Sequence, residues 1–303
     1  MKGKIIIICG PTGSGKSDLA ISLAKQLNSE IISADSLAIY KKLDIGTAKP
    51  NKEELSTVKH HLIDVVEPFG TFSVSDYEGM ALPIINRLIE NGKIPIICGG
   101  TGFYINSLLY KMGYGNTSEN TSVREKYLKM YESGLGEEVY QELVKVDEDS
   151  AKKIHKNDAV RVVRALEIYY ATGKKKSEQN DKLNPRFDYL AFTISHSRDV
   201  LYNRINLRVD KMIQNGLIDE VKFLIDMGLT KENQCMQGIG YKEVYDAIKS
   251  NDFSNLQEIL KLNSRHYAKR QITFFKKLPG LIELPYDNSS DEAIKILKEN
   301  NYI

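Results

Sequence analysis

Residues 10–17 read GPTGSGKS and residues 31–36 read IISADS. The first stretch fits G-x-x-x-x-G-K-[ST] in full and stands between an apolar run, KIIIIC (4–9), and a helical pattern, SDLAISLAKQL (17–27). In that setting Gly10, Pro11, Thr12, Gly13, Ser14 and Gly15 form a loop whose backbone N–H groups face inward as a nest. The helix N-terminus adds positive potential, Lys16 contacts the outer phosphate, and the Ser17 hydroxyl is placed to ligand Mg2+. This is chemistry for holding a chain of phosphates. The motif does not specify the molecule that carries them.

An NTPase normally adds an acidic residue at the end of a second apolar strand to help hold magnesium. Here IPIICGG (94–100) ends in glycines and Asp64 lies inside HLIDVV, whereas Asp35 closes an apolar run. On a strand adjacent to the first, Asp35 would face the crevice where open α/β sheets bind ligands. Its plainer role would be to cap the turn in SADS through its side chain. Thr101, at the end of the fourth apolar run in GGTGFY, would project into the same crevice or serve as an N-cap.

The elements that position these residues alternate. KIIIIC, EIISAD, HHLIDVV and IPIICGG are short apolar runs separated by amphipathic segments, the pattern of βαβ units and of a parallel sheet covered on both faces. The fold class expected is α/β, a P-loop NTPase-like parallel sheet core interrupted by an all-helical subdomain. The core spans 1–113 and 189–303; the insertion spans 114–188, where strand signals vanish after GYGNTSENTS (113–122). Within it, NDAVRVVRALEIYYATGK (157–174) has an N-cap in Asn157 and a terminating Gly173. Ala159, Val162, Val163, Leu166, Tyr169 and Tyr170 follow the helical period and leave Arg161 and Arg164 on another face. DYLAFTIS (188–195) returns the chain to the sheet, and a last strand is expected at LIEL (281–284).

With 303 residues, 42% of them apolar, the chain can bury a large core. Lysine and arginine number 42 against 40 acids, so the net charge of +2 neither requires nor excludes an anionic partner. Local charge is more informative. Residues 151–176 carry eight Lys or Arg against Asp158 and Glu167, and residues 261–277 carry six with no acid. Tyr267, Phe274 and Phe275 lie within the second segment, a mixture suited to phosphate contacts and base stacking. A charge run is otherwise only a solvated helix face.

The cysteines, Cys9, Cys98 and Cys235, lack zinc-site spacing and read as reduced thiols of a cytoplasmic protein, with Cys9 and Cys98 in the core. The lysines and apolar run at the start imitate a signal peptide, but the run meets the glycine loop at once and reads as a buried strand. No apolar stretch approaches the roughly 18 residues of a membrane span. His60 and His61 are adjacent on a strand, point to opposite faces and read as structural.

Taken together, GPTGSGKS, IISADS, LDIGTAKP (43–50), HHLIDVVEP (60–68), GGTGFYINSLLY (99–110), NDAVRVVRALEIYYATGK, LYNRINLRVDKMI (201–213), QGIGYKE (237–243) and RHYAKRQITFF (265–275) resemble the bacterial tRNA dimethylallyltransferases, in that family's order and over nearly the whole chain. The resemblance implies that the phosphates are those of dimethylallyl diphosphate. The acceptor it implies is the exocyclic N6 amine of the adenine just 3′ of the anticodon, in a tRNA anticodon stem-loop. It further implies that Asp35 accepts the amine proton, that Thr101 hydrogen-bonds near the reacting centre, and that Arg208 faces the diphosphate beside Lys16 and Ser17-bound Mg2+. Asp35, Ser36, Leu37, Ala38, Thr101, Arg124, Arg161, Arg164, Lys269 and Arg270 would contact tRNA. A cytoplasmic monomer is expected.

Leu37 and Ala38 depart from the family, which usually has a basic residue or methionine followed by glutamine. Alanine cannot make the adenine hydrogen bonds of a glutamine amide, worth roughly 1–3 kcal/mol of base discrimination. Phe274 replaces a tryptophan and keeps the aromatic face without the indole N–H. Two rivals share parts of the pattern: a P-loop kinase using ATP on a small molecule, and a non-catalytic RNA-binding relative.

Overall fold

The computed structural model describes residues 2–111, 121–178 and 184–303. It comprises two units, Met1–Leu109 with Pro185–Ile303, and Tyr110–Asn184. The first unit is built on a six-stranded sheet: β1 (Lys4–Cys9), β2 (Ile31–Ser33), β3 (His60–His61), β4 (Ile96–Gly99), β5 (Asp188–Ser195) and β6 (Leu281–Pro285). The order is β3-β2-β4-β1-β5-β6, with every pairing parallel. Helices of this unit before the second are α1 (Lys16–Gln26), α2 (Lys52–Thr57), α3 (Val74–Glu90) and α4 (Gly102–Leu109). The second unit holds α5 (Thr121–Glu132), α6 (Gly136–Val146), α7 (Glu148–Ala151) and α8 (Ala159–Thr172). The chain then adds α9 (Arg198–Gln214), α10 (Leu217–Asp226), α11 (Tyr241–Ser250), α12 (Leu256–Phe275) and α13 (Ser289–Glu299) to the first unit.

The unbroken isoleucines of β1 reflect its central place. It is flanked by β4 and β5, and Ile5 to Cys9 are all buried, as expected of a strand covered on both faces. Leu19, Ala20, Leu23 and Ala24 of α1 join Ala293 and Leu297 of α13 in a core with Ile6, Ile8 and Ile96. This packing fixes the end of β1 against the start of α1, the junction that the glycine loop occupies. Among the described residues no helix is long and apolar enough to cross a membrane.

Two expectations about the strands need correction. Asp35 does not follow a strand adjacent to the first, because β4 lies between β2 and β1. It still emerges at the carboxyl edge of the sheet, two residues beyond Ser33. HHLIDVV is not a full strand: only His60 and His61 pair with β2, and the chain then turns with Leu62 and Asp64 at φ 61° and 56°. The Asp64 carboxylate is held in that turn by Lys49 at 2.6 Å.

In the second unit Val139 and Leu143 of α6 meet Val162, Val163, Ala165 and Leu166 of α8. The α8 N-cap is Asp158, whose Oδ1 accepts from the Arg161 amide at 3.2 Å, and not the preceding Asn157. Gly173 terminates the helix at φ 68°. Two residues of α8 stand out, and the second, Tyr170, departs from the apolar face expected of it. Glu167 is fully buried, with its Oε2 accepting from Arg164 Nη1 at 2.7 Å. Tyr170 is exposed and donates its hydroxyl to Glu142, a partner it could not reach from the core. The boundary expected at 113/114 lies outside the described residues.

Glu30, just before β2, joins three segments. Its carboxylate accepts from His61 Nε2 at 2.7 Å and Lys93 Nζ at 3.0 Å, with Lys59 at 3.8 Å. Burial alone would raise this carboxyl, but the His61 and Lys93 hydrogen bonds, with the charges of Lys93 and Lys59, outweigh it and hold it at about 2. A carboxylate with a depressed pKa stabilises the fold above its unfolded value of about 4.3, and the contribution fades as pH falls below that. Glu30→Gln should therefore lose on the order of 2 kcal/mol at pH 7 and roughly half of that near pH 3. Urea titrations at the two pH values check this; a gap independent of pH would contradict it.

Candidate active site

Between β1 and α1 the chain turns through Gly13 and Gly15 at φ 77° and 92°, values that a side chain would make strained. These turns put the loop amides ahead of the α1 N-terminus, the geometry of an anion nest. The loop is held from outside. Arg204 Nε donates to the Gly13 carbonyl at 2.8 Å, His196 Nε2 to the Ser14 carbonyl at 2.9 Å, and the Thr12 amide to Gln271 Oε1 at 2.9 Å. Lys16 folds back so that Nζ donates to the Pro11 carbonyl at 2.6 Å. Burial lowers its pKa, as does the positive Arg208, while Cys98 and Asp35 act in the opposite sense. Ser17 is exposed at the first turn of α1.

Past β2, Asp35 does the capping that its sequence context suggests: Oδ1 accepts from the amides of Leu37 at 2.9 Å and Ala38 at 3.2 Å. Oδ2 has no hydrogen-bond partner among the described residues, so one carboxylate oxygen builds the turn and the other does not take part in it. Thr101 Oγ1 accepts from the Ser36 amide at 3.0 Å, and its hydroxyl donates to Ser36 Oγ at 3.3 Å. The Thr101 amide donates to the Ala34 carbonyl at 3.0 Å. Gly99 permits this approach, since a Cβ there would lie 2.1 Å from the Ala34 oxygen.

A cavity of about 440 Å³ joins the two halves. Thr12, Lys16, Ser17, Asp35, Ser36, Leu37, Ala38, Arg208 and Arg270 all line it. Of the remaining sequence candidates, Gly10, Pro11, Gly13, Ser14 and Gly15 shape the loop behind this wall, and Thr101 buttresses Ser36 instead of lining the space. Arg208 reaches in from α9, with Nη2 donating to the Thr47 carbonyl at 3.1 Å and its charge coupled to Asp35. Lys269 is exposed on α12, while Arg270 lies 5.7 Å from the Tyr267 ring centre. Leu37 packs on Gly238, where a Cβ would come within 2.3 Å of Leu37 Cδ1, and Ala38 is buried.

In the second unit, Arg161 Nε pairs with Asp158 at 3.3 Å, Arg164 is tied to Glu167, and Arg124 lies on α5. His60 Nδ1 donates to the Val58 carbonyl at 2.8 Å, while His61 engages Glu30, so the two rings serve separate hydrogen bonds. Cys9 is buried, but Cys98 is only part-buried and lines the cavity. Burial pushes its thiol up to about 11, against the pull of Lys16.

Two residues, Gln271 and Arg204, escaped the sequence reading, and a third, Tyr267, was expected only as an aromatic for base stacking. Gln271 bridges both halves: besides Thr12, its Nε2 donates to the Gly100 carbonyl at 3.0 Å, in space kept open by the missing Gly100 side chain. Its position in a basic, aromatic helix gives no sign of this burial. The Tyr267 hydroxyl faces Asp35, Thr101 and Gln271, and burial together with Asp35 pushes it up to about 12. Arg204 precedes Arg208 by one helical turn, a spacing that places both on one face of α9 and that could have flagged it.

The chain resembles known proteins over nearly its full length. A family model described as IPP transferase matches residues 38–278. A protein of Acetivibrio thermocellus named tRNA dimethylallyltransferase is 43% identical over 300 residues, covering 97% of this chain and 96% of that protein. Its namesake from Alkaliphilus oremlandii is 44% identical over 305 residues, covering 99% and 97%. Among solved structures, the full-length tRNA isopentenylpyrophosphate transferase of Bacillus halodurans is 38% identical with a TM-score of 0.71, covering 99% of this chain and 95% of that one. A eukaryotic dimethylallyltransferase acting on tRNA is 32% identical with a TM-score of 0.85, covering 99% and 79%. The family match begins at residue 38, beyond the glycine loop, β2 and Asp35, and the full-length relatives extend the likeness across them, so the chain belongs to the IPP transferase family, whose members here bear the name tRNA dimethylallyltransferase.

Proposed function

We propose that this protein transfers the dimethylallyl group of dimethylallyl diphosphate to the N6 amine of the adenine just 3′ of a tRNA anticodon, working as a monomer in the cytoplasm. The observation that carries this reading is the shared cavity: Lys16 and Arg208 line it together with Asp35, whose Oδ2 is left open. The loop amides, Lys16 and Arg208 hold the diphosphate and stabilise the charge it gains as it leaves. The bond between the allylic carbon and the diphosphate oxygen breaks, with its electron pair going to oxygen. The N6 lone pair forms the new C–N bond, and the N6 proton passes to Asp35 Oδ2. Thr101 holds Ser36, and so the Asp35 turn, in place for that transfer.

Mg2+ fits the residues present. Such ions take oxygen ligands and are commonly bound by few protein groups plus substrate phosphates and water; Ser17 supplies a hydroxyl at the cavity wall. When bound, the ion would neutralise charge on the diphosphate. For the acceptor, adenine must leave the anticodon-loop stack to reach a recessed electrophile, with Lys269 and Arg270 of α12 on loop phosphates. Arg124, Arg161 and Arg164 are proposed to contact tRNA from the second unit. A methyl group at Ala38 offers adenine shape but no hydrogen bond, so base selection would rest on other groups of the cavity.

Asp35→Asn retains Oδ1 for the Leu37 and Ala38 amides but removes the base. Single-turnover transfer should fall by about 10²–10⁴-fold, with tRNA affinity unchanged within about twofold; near-normal turnover would remove Asp35 from the mechanism. Replacing Lys269 and Arg270 with alanine should weaken tRNA binding and make it less salt-dependent, lowering the slope of log K against log salt by about one to two. Filter binding from 50 to 300 mM salt, on the order of the usual working range, measures this; an unchanged slope would take α12 out of the RNA interface.

A further inference from the structure

The segment LDIGTAKP (43–50) contributes no reacting group, yet it forms part of the cavity wall through Gly46, Thr47, Ala48, Lys49 and Pro50. Its backbone is unusual in direction. The amides of Asp44, Ile45 and Gly46 converge on one carboxylate, Glu220 of α10, at 2.8, 2.7 and 3.1 Å. The same carboxylate accepts from the Tyr241 hydroxyl at 2.7 Å. Gly46 is pressed on the Tyr241 ring so closely that a Cβ would lie 2.6 Å from it. Consecutive amides turned to one side make an anion nest, and here the protein's own carboxylate fills it. The turn continues through Thr47, whose hydroxyl donates to the Leu43 carbonyl at 2.6 Å, to Ala48 at φ 47°.

The Thr47 carbonyl leaving this turn accepts from Arg208 Nη2. Arg208 is thus fixed at one end by a carbonyl whose position depends on Glu220, while its charge faces Asp35 and Lys16. We propose that Glu220 is a positioning residue for the transfer reaction: by clamping the 44–46 amides it holds the Thr47 carbonyl where it aims Arg208 at the diphosphate. Glu220 does not line the cavity and so acts through the turn it clamps. This inference rests on the proposed role of Arg208, and its test reads diphosphate binding separately from prenyl transfer.

The experiment is a double-mutant cycle read by calorimetry with inorganic diphosphate and Mg2+ on wild type, Glu220→Gln, Arg208→Ala and the double variant. Glu220→Gln keeps the size of the side chain but faces the loop amides with an amide of its own. It should weaken diphosphate binding roughly tenfold, the order expected when charge-assisted hydrogen bonds are lost, and raise KM for dimethylallyl diphosphate while leaving KM for tRNA unchanged. In the Arg208→Ala background it should have almost no effect, because the two act as one unit. Additive losses, or wild-type diphosphate affinity in Glu220→Gln, would overturn the proposal. Should Glu220→Gln not fold, Tyr241→Phe removes one of the four donors to the Glu220 carboxylate and, with the three loop amides still in place, should weaken diphosphate binding about two- to threefold; unchanged affinity would again overturn it. Wild-type protein that binds diphosphate but prenylates no tRNA would count against the transferase reading, and the cycle would still decide the role of Glu220.

Discussion

The site depends on a backbone contact that has no room for a methyl group. Where β4 ends, Gly99 lies so close to the Ala34 carbonyl that a Cβ would sit 2.1 Å away. That approach brings the loop after β2 against the loop after β4, lets the Thr101 amide reach Ala34 and its hydroxyl reach Ser36, and so fixes the turn that presents Asp35. Gly100 repeats the device one residue later by admitting Gln271, whose carboxamide links the same loop to Thr12 of the phosphate cradle. Donor and acceptor sides are therefore registered to each other through a few backbone hydrogen bonds, at the carboxyl edge where open α/β sheets place their ligands.

Around that frame the charges are arranged as the proposed leaving diphosphate would require. Lys16 and Arg208 share the cavity, and burial lowers the pKa of both. Two cations held close in a poorly solvated space repel each other, a cost that an anion between them removes. Preorganised donors of this kind stabilise charge that develops during bond breaking better than water, which must reorient. Asp35 opposes both cations, and its divided use explains how one side chain serves structure and chemistry. Its capping role and its proposed catalytic role use different oxygens.

Much of this was legible in the residues. The parallel sheet could be read from the isoleucine runs because burial on both faces removes any alternation, and the cradle from glycines followed by Lys16 and Ser17. Asp35 stood out as a carboxylate closing an apolar run, although its supposed adjacency to β1 was wrong because strand order is set by crossovers that local pattern does not record. HHLIDVV misled because an apolar run looks alike whether it pairs or turns; only the positive φ at Leu62 and Asp64 separates the two. Gln271 and Glu220 were illegible for a common reason. Each is a polar residue on an otherwise ordinary helix, and its importance comes from partners distant in the chain.

The central claim is that the phosphates bound here belong to an allylic diphosphate and that tRNA adenine is the acceptor. The most direct test is to incubate the protein with dimethylallyl diphosphate, Mg2+ and unmodified tRNA, then digest the RNA and weigh its nucleosides while measuring released diphosphate. The account predicts N6-dimethylallyladenosine and diphosphate in equal amounts. Consumption of ATP with a small acceptor and no prenylated nucleoside, or retention of RNA with neither chemistry, would contradict it.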